Sequence, residues 1–169
     1  IMRHKFVAHA HSVNVISYAV LKNSKKILNE KLEGISWLWV PYVRPGLPLT
    51  IMLNQMNMFD FDVIILANHG VVIGGDTKEE VLDIFDQVET RLCRSVRGNF
   101  SETDKVRLES LVDSLPYKLP KHDLTHALAK DSLSLKIIGK NALYPDHVIF
   151  LGPGTIPVMT QEEFKDRSP

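Results

Sequence analysis

A short apolar run in the middle of the chain constrains its fold most strongly. Residues 62–67 read Asp-Val-Ile-Ile-Leu-Ala, a run short enough for a single strand. Continuous apolar runs of this length indicate a strand that is buried on both faces. Asn68-His69-Gly70 interrupts the run, and residues 71–73 continue it as a second strand. The chain therefore needs a sheet with other elements packed against it.

Two histidines near the start of the chain share one face of a predicted strand. Residues 5–11 have strand character, and side chains two positions apart in a strand project to the same side. His9 and His11 therefore project together with Val7. Such a pair is more often a surface or hydrogen-bonded feature, but it can also chelate a metal ion. A third histidine from another strand end, such as His69, would complete a three-nitrogen site with an open position, as in catalytic zinc sites.

Strand and helix patterns alternate along the first half of the chain. Ser12 stands at the N-cap position of an apolar helix predicted over residues 13–21. Residues 36–43 predict a strand that ends at Pro41 or soon after, and residues 49–58 have the composition of a helix. Interleaved strands and helices indicate a layered α/β domain with a mostly buried sheet.

The clearest helix signal follows Gly74-Gly75. Thr77 and Glu80 have the spacing of a capping box, and apolar residues then recur every three or four positions. This pattern predicts a helix that includes Cys93 and ends at Gly98-Asn99. A phosphate-binding loop is the alternative for these residues, and the capping box is the preferred interpretation. The apolar positions are Val81, Phe85, Val88, Leu92 and Val96.

The last third of the chain gives weaker signals. We expect helices over residues 102–115 and 122–131, and a last strand over residues 146–151. Thr160-x-x-Glu163 would cap a final short helix.

Four further histidines are candidate ligands, but each has a simpler interpretation. His122 and His126 lie four positions apart on a predicted helix, a spacing that suits a metal. The segment between them lacks the general-base Glu of a metalloprotease helix. His4 and His147 are interpreted as structural residues that order or pack their strands.

Composition gives no support to several classes of function. The 169 residues fit one domain, and 20 basic against 20 acidic residues give no reason to expect nucleic acid or a membrane surface as partner. Cys93 is the one cysteine, so neither an intrachain disulfide nor a thiolate metal cluster is possible, which favours a cytoplasmic setting. No apolar run approaches the roughly 18 residues of a membrane-spanning helix.

Four sequence blocks occur in one order, at residues 4–12, 40–43, 66–77 and 144–150. They read His-Lys-Phe-Val-Ala-His-Ala-His-Ser, Val-Pro-Tyr-Val, Leu-Ala-Asn-His-Gly-Val-Val-Ile-Gly-Gly-Asp-Thr and Tyr-Pro-Asp-His-Val-Ile-Phe. The ordered set resembles the class II aldolase/adducin family, which includes fuculose- and rhamnulose-phosphate aldolases and ribulose-phosphate 4-epimerase. The first and last blocks look closest to the rhamnulose-phosphate type, including the aldolase half of its dehydrogenase fusions. The resemblance implies a three-layer α/β/α domain with a central mixed, largely buried sheet.

The resemblance also implies a site and a reaction. His9, His11 and His69 would hold a zinc ion or another divalent metal ion. Enzymes of the family cleave a ketose phosphate reversibly into dihydroxyacetone phosphate and an aldehyde, through an enediolate that the zinc stabilises. Tyr42 and Arg44 flank a turn where members place residues near the substrate, so a proton relay and a phosphate contact are predicted for them. A solvated loop residue is the alternative for Arg44.

Other properties follow from the same resemblance. A sugar phosphate would be the substrate, and a homo-oligomer, commonly a tetramer with active sites between neighbours, would be the assembly. An epimerase or dehydratase with the same metal ligands is one alternative, and a non-catalytic adducin-like interaction domain is another. The family's phosphate-binding loop and acid/base Glu precede the His-x-His strand, whereas the eight residues before His9 contain no Glu. We therefore expect residues 1–169 to form a single domain that lacks its N-terminal segment.

Overall fold

The computed structural model describes residues 2–95, 105–113, 118–140, 142–152 and 162. The chain divides into two compact units, residues 1–95 and residues 96–169. The predicted helix end at Gly98-Asn99 and the predicted capping pair Thr160 and Glu163 lie outside the described residues. The single domain over residues 1–169 stays a prediction.

The first unit contains a four-stranded mixed sheet in the order β1-β4-β3-β2. Strand β2 pairs with β3 in parallel, whereas β4 pairs antiparallel with both β3 and β1. All four predicted strands of this unit are therefore confirmed. The strands are β1 (Phe6–Ala10), β2 (Trp37–Val40), β3 (Val63–Leu66) and β4 (Gly70–Gly75).

Four helices accompany this sheet, and two of them begin with the predicted caps. The Ser12 hydroxyl accepts a hydrogen bond from the Val15 amide at the start of α1. Thr77 and Glu80 form the predicted capping box at the start of α4. The prediction that α4 includes Cys93 is wrong, because the helix ends at Leu92 and the backbone leaves the helical conformation at Cys93 (φ −59°, ψ 132°). The Cys93 side chain is exposed. The helices are α1 (Val13–Ala19), α2 (Ser24–Lys31), α3 (Leu47–Gln55) and α4 (Lys78–Leu92).

Apolar residues on both faces of the sheet pack against helices. Val63 and Ile65 of β3 lie in one cluster with residues of α1, α2 and α4. Ile64 and Leu66, the alternate residues of the same strand, lie in a second cluster with Leu49 of α3. Strand β3 is therefore buried on both faces, as its apolar run predicts. The fold of this unit is α/β with a mixed sheet, and the three-layer arrangement of the chain stays a prediction.

The described part of the second unit contains four helices. Residues 145–151 form helix α8, so the predicted last strand is wrong. Pro145 stands in the first turn of α8, where its missing amide hydrogen costs nothing. Val148, Ile149 and Phe150 of this helix are exposed rather than buried in a sheet. The helices are α5 (Lys105–Val112), α6 (Asp123–Lys130), α7 (Ser132–Ile138) and α8 (Pro145–Leu151).

None of the helices in the described ranges is long and apolar enough to cross a membrane.

Candidate metal centre

The candidate site lies at one end of the sheet, where β1 ends and β4 begins. The antiparallel register pairs His9 with Val72 and Ala10 with Val71. The last residues of β1 therefore lie beside the first residues of β4. His11 follows β1 and His69 precedes β4, so the register brings the His-x-His pair and the third histidine to the same edge.

The turn between β3 and β4 fixes the position of His69. The His69 amide donates to the Leu66 carbonyl at 3.2 Å and closes the turn. Asn68 adopts a left-handed conformation (φ 54°), which asparagine tolerates better than most residues. Its amide donates to the Ala19 carbonyl at 3.3 Å, so the last residue of α1 holds the turn.

Gly70 allows the end of β1 to approach this turn closely. A Cβ atom at Gly70 would lie 2.5 Å from the Ala10 carbonyl oxygen and 3.2 Å from Cδ2 of His11. The first distance is too short for any real side chain, so a larger residue would displace the end of β1. The glycine of the Asn-His-Gly block is therefore required by the packing around His11.

The three imidazole rings converge with nearly equal spacing. Their centroids lie 4.8, 5.0 and 4.9 Å apart for the pairs His9–His11, His9–His69 and His11–His69. The Nε2 atoms of His9 and His11 are 3.0 Å apart, and one nitrogen from each ring lies within 4.8 Å of the others. Zn–N bonds of about 2.0–2.1 Å in a tetrahedral site require nitrogens roughly 3.3 Å apart. The three side chains therefore suit a divalent metal ion such as zinc, provided that the rings close to that spacing from separations of at most 4.8 Å.

A backbone contact orients His9 for this role. Its Nδ1 donates to the carbonyl of Val71 at 3.0 Å. With the proton on Nδ1, the lone pair of a neutral ring is on Nε2, the atom that faces His11. Hydrogen bonds of this kind fix the tautomer and orientation of metal-binding histidines in proteins. His9 and His11 are exposed and His69 is half-buried, so the histidine triad is accessible to solvent.

Tyr42 and Arg44 follow β2 at the same end of the sheet. The Val40 carbonyl at the end of β2 accepts from the Ala67 amide at 3.0 Å, so this strand end adjoins the turn that carries His69. Tyr42 and Arg44 are both exposed beyond it. Their contacts with a substrate stay predictions.

The other histidines have contacts of their own. His4 Nε2 lies 3.0 Å from a carboxylate oxygen of Asp62, and its ring covers Gly74. His122 is the N-cap residue of α6, and His126 Nε2 donates to the Pro120 carbonyl at 3.1 Å. His147 is buried and lies on a helix rather than a strand. Within the described ranges, only His9, His11 and His69 form a group of three or more side chains able to hold a metal ion.

Glu89 contacts two residues that lie next to the histidine triad, and the sequence patterns do not predict these contacts. The Ser12 hydroxyl donates to Oε1 of Glu89, and Nδ2 of Asn14 donates to Oε2 at 2.9 Å. These partners are 77 and 75 positions apart, so periodicity and local motifs could not reveal them. The one signal in the sequence is that Glu89 lies four positions after Phe85, beside the apolar face of the predicted helix.

Comparison with known proteins assigns the family. Residues 2–96 match the Class II Aldolase and Adducin N-terminal domain. That span is more than half of the chain and includes His9, His11 and His69. The chain belongs to the class II aldolase and adducin family.

Several proteins are similar to this class II aldolase-family chain over parts of their length. The "Uncharacterized oxidoreductase YuxG" of Bacillus subtilis (strain 168) is 36% identical over 78 residues, which is 45% of this chain and 11% of that protein. The N-terminal class II aldolase domain of a conserved protein from Thermoplasma acidophilum is 26% identical, with a TM-score of 0.46, over 53% of this chain and 41% of that one. An aldolase II superfamily protein from Pseudomonas syringae is 18% identical, with a TM-score of 0.42, over 79% and 49%. The chain thus matches less than half of each of these proteins.

Proposed function

We propose that this chain contains the metal centre of a zinc-dependent aldolase that cleaves a ketose phosphate into dihydroxyacetone phosphate and an aldehyde. The observation that supports this most strongly is the convergence of His9, His11 and His69, with one nitrogen of each within 4.8 Å of the others. Family membership supports the same reaction class. Three nitrogen ligands with an open fourth position are typical of catalytic rather than structural zinc.

His9, His11 and His69 would hold the zinc ion, which would supply a Lewis acid next to the oxygens of the substrate. The chain's own residues provide the geometry for this. Val71 keeps the His9 proton on Nδ1, and the Asn68 turn presents His69 to the same point. The exposed side of the triad admits the substrate. We further propose that Tyr42 relays a proton and that Arg44 binds the phosphate group.

Two alternatives use the same fold differently. A sugar-phosphate epimerase or dehydratase would need the same three ligands, so product analysis must distinguish them. A non-catalytic adducin-like domain would not need the metal. The relative from Bacillus subtilis is named an oxidoreductase, but the matched segment is 11% of that protein, so we carry no redox reaction over to this chain. A cytoplasmic location and a homotetramer are part of the proposal.

The reaction is tested by incubating the full-length zinc-loaded protein with rhamnulose, fuculose and ribulose phosphates. We expect dihydroxyacetone phosphate to be released from at least one of them, and the release to stop when zinc is removed by a chelator. The His69→Ala variant should lose this activity, whereas His126→Ala, a matched change at a histidine bonded to Pro120, should keep it. An isomeric phosphate without dihydroxyacetone phosphate would favour the epimerase. No turnover of any substrate by the zinc-loaded protein would contradict both the aldolase and the epimerase proposals.

A further inference from the structure

We infer that Glu89 is a positioning residue for the metal centre. It fixes helix α1, which connects the two parts of the histidine triad, here called its arms. One arm is the His9–His11 pair at the end of β1, and the other is His69 in the β3–β4 turn. The inference rests on the zinc site proposed above.

Glu89 uses both carboxylate oxygens to hold the start of α1. Oε1 accepts from the Ser12 hydroxyl, and Oε2 accepts from the Asn14 amide group at 2.9 Å. Ser12 is buried, and its oxygen also accepts from the Val15 amide at 3.1 Å as the N-cap of α1. Because Ser12 directly follows His11, the same contact fixes the backbone next to a predicted ligand.

The other end of α1 holds the second arm. The Ala19 carbonyl accepts from the Asn68 amide at 3.3 Å, and Asn68 directly precedes His69. Val15, Ile16, Tyr18 and Ala19 are buried, so the helix is packed along most of its length. Helix α1 therefore connects the residue after His11 to the residue before His69. A shift of α1 would change the distance between the two arms.

The path of α4 explains why Glu89 reaches this end of the sheet. Strand β4 begins beside the histidines at Gly70 and ends at Gly75, at the opposite end of the sheet. Helix α4 then starts at Lys78 and packs back along the sheet against β4 and α1. At about 1.5 Å per residue, the helix from Lys78 to Glu89 spans roughly 16 Å, close to the length of β4. Glu89 thus returns to the end where the histidines lie.

The test compares zinc affinities of the full chain and its variants by competition with a chromophoric chelator, together with the melting temperature of the metal-free proteins. We expect Glu89→Ala to weaken zinc binding by about tenfold, the lower end of the loss when a direct hydrogen-bond partner of a ligand is removed, because Glu89 acts on the ligands through Ser12 and α1. Glu89→Gln keeps the length of the side chain and an acceptor oxygen, so it should restore most of the affinity. Asp86→Ala, at an exposed carboxylate on the same helix, should bind zinc like the wild type.

A merely structural role for Glu89 would lower the melting temperature and leave the zinc affinity of the folded protein unchanged. A Glu89→Ala affinity within about twofold of wild type would therefore overturn the inference while leaving the zinc site intact. If Glu89→Ala does not fold, Asn14→Ala is tested instead, because it removes one Glu89 contact and leaves the Ser12 cap in place. We expect Asn14→Ala to weaken zinc binding. An unchanged zinc affinity of Asn14→Ala would overturn the inference. A wild-type protein that binds no zinc would instead contradict the proposed function itself.

Discussion

Gly70 shows how a single residue without a side chain controls the candidate metal centre. The Ala10 carbonyl and the His11 ring occupy the space that a Cβ atom at this position would need. A larger residue at position 70 would therefore push His11 away from His69. The motif Asn-His-Gly combines a ligand with the residue that allows its partner to approach.

We expect Gly70→Ala to weaken zinc binding by about tenfold, because the end of β1 must move and takes His11 with it. Chelator competition measures the loss. Gly34→Ala is the matched control: Gly34 has φ +81° and nothing within 4 Å of its missing Cβ. That change should cost about 1–2 kcal/mol of unfolding free energy through backbone strain and leave zinc affinity unchanged. Wild-type zinc affinity in Gly70→Ala would contradict this account of the packing.

The sequence predicts individual ligands better than the residues around them. The shared face of His9 and His11 follows from the two-residue period of a strand, and the structure confirms that His9 and His11 lie side by side. Glu89 and the Val71 carbonyl act through contacts across 62 to 77 positions. Such contacts depend on strand order and helix packing, which no local pattern specifies.

Helix α4 has the clearest N-terminal capping motif in the sequence. Thr77 accepts from the Glu80 amide at 3.1 Å, and the Glu80 carboxylate accepts from the Thr77 and Asp76 amides. We expect Thr77→Ala to lower the free energy of unfolding by about 1 kcal/mol, the usual loss for an N-cap. Zinc affinity should change little, since Thr77 follows the end of β4 that is opposite to His69.

The control for this change is Thr90→Ala, at an exposed position in the last turn of the same helix. Alanine has a higher helix propensity than threonine, so stability should be unchanged or slightly raised. Urea denaturation of both variants measures the difference. Equal stability of the two variants would show that the capping box contributes nothing.

Elements with two consistent signals are predicted well, and elements with one are not. Strand β3 combines an apolar run with β-branched residues, and α4 combines a capping box with a helical apolar period. Residues 146–151 offer one short apolar run, which suits a strand or a helix equally. Pro145 at the start of that run was the missed signal, since proline is favoured in the first turn of a helix.

In the whole molecule, the first unit contains all three predicted ligands. The β1–β4 pairing, the β3–β4 turn and helix α1 bring residues 9, 11 and 69 to one end of a mixed sheet. This is the same segment that matches the family domain over residues 2–96. Binding of zinc to the folded state alone would also stabilise that unit, because it shifts the folding equilibrium by mass action.

The most direct test of the account is the zinc content of the purified full-length protein after equilibration with zinc and removal of the excess. The proposed site predicts about one zinc ion per chain, with His126→Ala unchanged and His69→Ala strongly depleted. Less than about half an equivalent in the wild type, or full zinc content in His69→Ala, would contradict the proposal that His9, His11 and His69 form a metal centre.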